Sequence, residues 1–290
     1  MESFNYEDIF MGVMEGKNGS YKRTFRDDYR LKRLIEAVKR GKHKMLDIGC
    51  GGGILTESLH YYYPRAKTYG CDVSREAIRY ARKHGSGKVI YSIIRKNKLP
   101  YKDNFFDVCI CLDVMEHIPD VNFLLKEVKR VLKKNGQFFL LVPCEGQPLT
   151  HTWFSQKLNI GSKMTFKRYG HIHPEFTHNY IKDLLNKHGF EIKKTNYSEH
   201  ILYQIISLIV YFIPREIMDL VLGNKVNLYT DAGVIRFSNS KERLSFIMLF
   251  RNFWFSLIKF LRFITAWELE LFKHVPFTAW KLIVLSQVKK

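Results

Sequence analysis

The sequence predicts an α/β fold, a parallel sheet with helices packed on it, and three observations carry that reading. Short apolar runs suited to strands alternate with segments of helical spacing through residues 25–194. The run Phe106 to Asp113 is almost continuously apolar, as a strand buried on both faces requires. A glycine-rich turn, Gly49 to Gly53, joins a strand to a helix, the junction where open α/β sheets bind ligands.

In chain order, residues 1–24 are polar and contain glycine, so they are expected to pack late or move. Residues 25–40 place Leu31, Leu34, Ile35 and Val38 at helical spacing, with Gly41 as the stop. Lys44 to Ile48 is a strand, and Ile54 to Tyr62 a helix. Thr68 to Val73 is a second strand, and Ser74 reads as the N-cap of a helix over Arg75 to Lys83. Val89 to Ile94 and Phe106 to Asp113 are strands three and four. Val121 to Leu132 is a helix halted near Gly136, and Gln137 to Val142 a fifth strand. A helix over Thr177 to His188 leads through Gly189 into a strand over Phe190 to Lys194. Strands linked by helices imply right-handed crossovers. The expected division is 1–200 for this domain and 201–290 for an amphipathic helical extension.

The 290 residues carry 47 Lys and Arg against 28 Asp and Glu, a formal charge of +19. Such a surface favours polyanions: nucleic acid, anionic lipid or phosphorylated substrates. The five cysteines, Cys50, Cys71, Cys109, Cys111 and Cys144, have no zinc spacing, and four lie in or beside strand-like runs. They are expected to be reduced and buried, as in an intracellular protein. Met1 to Phe10 is acidic, so no secretory signal is expected.

In the run Leu46-Asp47-Ile48-Gly49-Cys50-Gly51-Gly52-Gly53, glycines let the backbone turn sharply and approach a ligand. The following helix start offers N–H groups to a carboxylate or phosphate. Asp47 could accept from an ammonium group or anchor the loop. Asp72, 25 residues on at the next strand end, is placed to bind ribose hydroxyls. The spacing D-x-G-x-G-x-G is not the G-x-G-x-x-G of dinucleotide sites. The order continues through Leu99-Pro100-Tyr101, Asn104-Phe105-Phe106-Asp107-Val108 and Asp113-Val114-Met115-Glu116-His117-Ile118.

Together these segments resemble the class I S-adenosylmethionine-dependent methyltransferases, in particular the group with ubiquinone-pathway enzymes, over about residues 30–195. The resemblance implies a Rossmann-like seven-stranded, mostly parallel sheet with helices on both faces and a reversed last hairpin. It implies S-adenosylmethionine as cofactor. Asp47, Gly49, Cys50, Gly51 and Gly53 would surround its methionine portion. Asp72 and Val73 would meet the ribose, and Leu112 and Asp113 would lie beside the sulfonium. Relatives often carry an acid for the adenine amine where this chain has Arg95. Adenine contact then falls to backbone near Ile94 or to another side chain.

An oxygen or carbon acceptor usually needs a base. Candidates are His117, in the stretch after the fourth strand, and His171 and His173, in the loop Tyr169 to Pro174, with His178 beyond. Relatives have a similar Gly-His pair there, bordering the acceptor pocket. Asp113, Glu116 and His117 form D-x-x-E-H. Some quinone O-methyltransferases with E-x-x-E-H bind a divalent ion at that place, but no metal is expected here.

On a helical wheel, residues 245–272 gather Arg251, Lys259, Arg262 and Glu270 into a narrow stripe opposite a wide face of Phe, Trp, Leu and Ile. No uncharged run reaches the ~20 residues a bilayer span needs. Ile201 to Ile213 has 13. The expectation is helices lying in the membrane interface, the alternative a helical lid or oligomer contact. The reading is O- or C-methylation of a small hydrophobic or lipid-linked acceptor by a cytoplasmic protein held peripherally at an anionic membrane surface. A soluble small-molecule methyltransferase with a lid is the alternative. Nucleic acid is a weaker candidate: no Asn-Pro-Pro-Tyr-type motif occurs, and Val142-Pro143-Cys144 only superficially resembles a cytosine methyltransferase Pro-Cys.

Overall fold

The computed structural model describes residues 28–95, 98–158, 170–208, 228–229, 234–235 and 265–289. The polar segment 1–24, residues 245–264 of the run 245–272, and residues 209–213 lie outside them.

The expected alternation is present. Helix α1 (Tyr29–Ala37) is shorter than the spacing suggested. Asp28 caps it by accepting from the Arg30 N–H, and Val38 leaves the helix before Gly41 is reached. Strand β1 (Lys44–Ile48) leads through the glycine turn to α2 (Ile54–Tyr62), and β2 (Lys67–Asp72) to α3 (Arg75–His84). Ser74 caps α3 as expected, its side chain accepting from the Ala77 N–H. Then come β3 (Ile90–Ile93), β4 (Phe106–Leu112), a 3-10 turn (Met115–His117) and α4 (Val121–Val131). Strand β5 (Leu132–Pro143) begins earlier than the apolar run indicated. After it come α5 (His151–Lys157), α6 (His178–Lys187), β6 (Phe190–Ser198) and α7 (Ile201–Ser207). Thr177 caps α6.

One expectation is corrected. Residues 281–288 are not part of a helical extension: they form strand β7 (Lys281–Val288). It lies antiparallel between β5 and β6 and completes a seven-stranded sheet of order β3-β2-β1-β4-β5-β7-β6. The physical reason is a period of two. Leu282 and Val284 join the core on one face of the sheet, Ile283 and Leu285 the core on the other. Each such burial is worth about 1.5–3 kcal/mol, which no surface helix of this sequence would recover. The sheet is therefore completed by residues 281–288. Two short strands, Leu228–Tyr229 and Val234–Ile235, pair separately.

Helices α1 and α2 cover one face, packing Leu31, Leu34 and Leu59 on Met45, Val108, Ile110 and Phe139. Helices α4 and α6 cover the other, with Leu125, Val128, Ile181 and Leu185 on Cys109, Phe138 and Leu140. All five cysteines are free and buried. The parallel registers of β1 with β2 and β4 bring the carboxyl ends of those strands side by side. That edge carries the site.

Candidate active site

The glycine turn is built as its composition requires. Gly49 and Cys50 both donate to the Cys71 carbonyl, at 2.8 and 3.1 Å. Gly49 has φ of +72°, and a Cβ there would stand 2.3 Å from Val114 Cγ2. Gly53, also left-handed, is the N-cap of α2. At Gly51 a Cβ would meet nothing within 4 Å, so this part of the turn opens onto free space. Asp72 faces it: Gly51 N–H donates to one carboxylate oxygen at 2.8 Å and Ser74 N–H to the other at 2.9 Å. The Ile94 N–H donates to the Asp72 carbonyl, and Val73 is exposed beside it. This open cradle, a rigid turn next to an oriented acid, fits a ligand with a ribose and an amino-acid end.

Asp47 is 3% exposed and accepts from the Thr56 hydroxyl at 2.7 Å, so it anchors the turn to α2. Burial pushes its carboxyl up to about 7 against that hydrogen bond. The unfolded chain ionises there near about 3.9. Between these values the unfolded state sheds a proton that the fold retains, so stability falls as pH rises toward 7 and then levels. Asp47→Asn is expected to match wild type near pH 4 and exceed it by about 2–4 kcal/mol at pH 8, measured by urea unfolding at both pH values.

Arg95, beside which the adenine is expected, pairs with Lys98 in an isolated bridge. A cavity of 630 Å³ there is lined by Arg82, Arg95 and Lys98 with Leu99, Pro100 and Tyr101. Arg82, Arg95 and Lys98 thus give this cavity a cationic lining.

Beside the turn, Leu112 ends β4 and Asp113 follows with φ of +53°. Sequence reasoning did not foresee its partners. Lys281 Nζ lies 2.9 Å from one Asp113 oxygen and Arg30 Nη1 3.0 Å from the other. Burial alone would raise the Asp113 carboxyl, but these two cations outweigh it and hold it below the usual carboxylate range. Lys281 also reaches Glu199 at 3.3 Å, and Tyr29 donates to Glu199 at 2.8 Å. Glu199 too has a positive φ, +59°. Two left-handed carboxylate residues on one ion cluster are the kind of stored strain found at functional sites.

The loop Gly170–His173 is laced onto the turn Glu116–Ile118. Ile172 N–H donates to the Glu116 carbonyl, His117 Nδ1 lies 3.1 Å from the Gly170 carbonyl, and His173 Nε2 lies 2.8 Å from the Ile118 carbonyl. This brings His117 and His171 together, ring centroids 5.1 Å apart. His173 does not join them. Its other nitrogen lies 2.8 Å from Glu175 and its ring stacks on Phe176. His178 is buried against Tyr197. Burial, reinforced by His171, pulls the His117 imidazole down to about 4.

Glu116 is 1% exposed, and neither carboxylate oxygen has a hydrogen-bond partner. Burial, with the charge of Asp113, raises its carboxyl well above the ordinary range. It lies 3.8 Å from both His117 Nε2 and His171 Nε2. The three residues place one donor atom each within 4.8 Å of one another, a set that could hold a divalent cation. Trp280 closes this side, its centroid 6.4 Å from that of His171. Cys144 is fully buried and burial pushes its thiol up, so it is no nucleophile of the cytosine-methylating kind.

Comparison with known proteins agrees with this fold. Residues 46–140 match the methyltransferase domain family. A ubiquinone biosynthesis O-methyltransferase of Pelagibacter ubique is 37% identical over 100 residues, 33% of this chain and 40% of that protein. A ubiquinone/menaquinone biosynthesis C-methyltransferase of Desulfotalea psychrophila is 33% identical over 117 residues, 39% of this chain and 48% of that protein. The matches thus span less than half the length of these two relatives. Among solved structures, phosphoethanolamine N-methyltransferase 2 of Haemonchus contortus, in complex with S-adenosyl-L-methionine, superposes with a TM-score of 0.55 at 15% identity. That alignment covers 98% of this chain and 57% of the other, and shows the shared fold. Residues 46–140 thus match a methyltransferase domain, on a fold shared with S-adenosylmethionine-dependent methyltransferases.

Proposed function

We propose that the protein transfers the methyl group of S-adenosylmethionine to an oxygen or carbon of a small hydrophobic, quinone-type acceptor at an anionic membrane surface. The observation that carries the transfer is the cradle of Gly51 and Asp72 opening beside the cluster of Asp113, His117 and His171. The cofactor supplies a sulfonium-bound methyl. Asp47, Gly49, Cys50, Gly51 and Gly53 form the turn around its methionine end, Asp72 and Val73 border the ribose, and Ile94 borders the adenine. Leu112 and Asp113 lie where the methyl would point, with Asp113 kept anionic next to the sulfonium charge. Trp280 and the two imidazoles offer flat walls to an aromatic acceptor. Acceptor alignment is the main contribution the fold makes.

The membrane part rests on the helical residues 265–271. Their polar side is tied inward: Glu270 pairs with Lys32 at 2.7 Å and Arg33 at 3.1 Å, and Glu268 accepts the N–H groups of Leu202 and Tyr203. The outward side leaves Trp267 71% and Leu271 74% exposed, with Phe277 and, on α7, Ile201 and Ile205. Aromatic and aliphatic side chains outside a +19 chain suit an anionic interface. Among the described residues no helix is long and apolar enough to cross a membrane. Flotation with phosphatidylglycerol-containing liposomes tests this. The full-length chain is expected to float, and a Trp267→Ser, Leu271→Ser, Phe277→Ser variant to remain below. Equal behaviour contradicts the reading. Methyl label incorporated into a total lipid extract would identify the acceptor.

A further inference from the structure

Resting on the oxygen-acceptor form of that proposal, we propose that Glu145 is a positioning residue that pairs with His171 and makes it, rather than His117, the base for the acceptor hydroxyl. Glu145 follows β5 and is 2% exposed. One of its carboxylate oxygens lies 2.5 Å from His171 Nδ1. An ionised carboxylate can only accept, so under this proposal Nδ1 carries the proton and Nε2 is left as the basic nitrogen. Nε2 lies 3.8 Å from Glu116 Oε1, and the ring packs against that of His117.

The fold holds this pair from both ends. The Glu145 carbonyl accepts from the Thr152 hydroxyl at 3.0 Å and from Gln156 Nε2 at 3.2 Å, so α5 fixes the backbone at residue 145. The next residue, Gly146, donates to the Phe176 carbonyl at 2.9 Å, and a Cβ there would stand 2.6 Å from the Pro174 carbonyl. Only glycine lets the Glu145 turn lie this close to the loop that carries His171. The other end of that loop is held by the hydrogen bonds to Glu116, His117 and Ile118 described above.

On His117, Nδ1 lies 3.1 Å from the neutral Gly170 carbonyl. A carboxylate on Nδ1 orients the ring and stabilises the imidazolium that forms when Nε2 takes a proton, an effect a carbonyl supplies far more weakly. The step balances. As the acceptor oxygen bonds to the methyl carbon, the carbon–sulfur bond breaks and its electron pair returns to sulfur, which becomes a neutral thioether. The hydroxyl proton passes to His171 Nε2, and the positive charge moves from sulfur to the Glu145-paired imidazole.

Long-range proton–nitrogen NMR on full-length protein with nitrogen-15 histidine, in buffer containing EDTA, reads the pairing directly. The His171 signals are assigned by their loss in His171→Gln. Wild type is expected to show the Nδ1–H tautomer, and Glu145→Ala a shift toward Nε2–H that Glu145→Asp partly reverses. An Nε2–H tautomer in wild type, or no change in Glu145→Ala, overturns the proposal. In parallel, methyl transfer to 4-tert-butylcatechol is measured. Glu145→Ala is expected to lower kcat about 100-fold with KM within about twofold, and isosteric Glu145→Gln, which preserves packing, to lower it nearly as far. Unchanged kcat in both also overturns it. If wild type methylates no catechol while the tautomer shift occurs, the oxygen-acceptor reading fails and the Glu145–His171 pairing stands.

Discussion

Lys281→Met is expected to lower the unfolding free energy by about 3 kcal/mol at pH 8, because removing one partner leaves buried charge uncompensated. Lys281 is the first residue of β7 and serves both Asp113 and Glu199. After its loss, among the described residues, Asp113 keeps Arg30, which is partly exposed, and Glu199 keeps the Tyr29 hydroxyl. Burial already raises the Glu199 carboxyl, and Lys281 is what opposes that rise. Without the lysine, Glu199 folds more readily as the neutral acid. Below its raised value the fold binds a proton that the unfolded chain releases, so the damage shrinks as pH falls toward 5. Adding Glu199→Gln should restore much of the loss at pH 8, and the double-mutant cycle in urea gives the coupling directly. A loss that is independent of pH, or that Glu199→Gln does not relieve, would assign the effect to strand packing instead.

Gly49→Ala is the second large effect. The position demands φ of +72°, and the added methyl would lie 2.3 Å from Val114. The backbone term costs about 1–2 kcal/mol, and the clash adds a similar amount by displacing the turn that follows β4. We expect about 2–4 kcal/mol lost in stability. Since that turn continues into Asp113 and Glu116, S-adenosylhomocysteine affinity should fall by about 100-fold or more, about 2.7 kcal/mol. Thermal shift with and without that ligand separates the two losses.

How legible this was depended on the range of the interactions. The glycine turn, Asp72 and the caps Ser74 and Thr177 follow from local rules, and each is in place. Strand β7 was not legible as a strand. Its run Leu282 to Leu285 follows an aromatic-rich stretch and suits a buried helix equally. What makes it a strand is a slot between β5 and β6, more than 80 residues away in sequence. For the same reason Lys281 could not be foreseen as the partner of Asp113. His117 and His171 were named from sequence, and the structure brings them together. His173, equally plausible on the page, is turned to Glu175. Glu145 left one faint signal, the glycine after it, but a glycine marks a close approach without saying to what.

In the proposed reaction the donor sits on the Gly49–Gly53 turn with Asp72 at its ribose. Isothermal titration calorimetry of S-adenosylhomocysteine into full-length protein and into Asp72→Ala tests it most directly. One ligand per chain is predicted for wild type, with affinity reduced about 10- to 100-fold in the variant, the cost of losing hydrogen bonds to a charged group. No binding to wild type, or equal affinity for both proteins, would contradict the assignment.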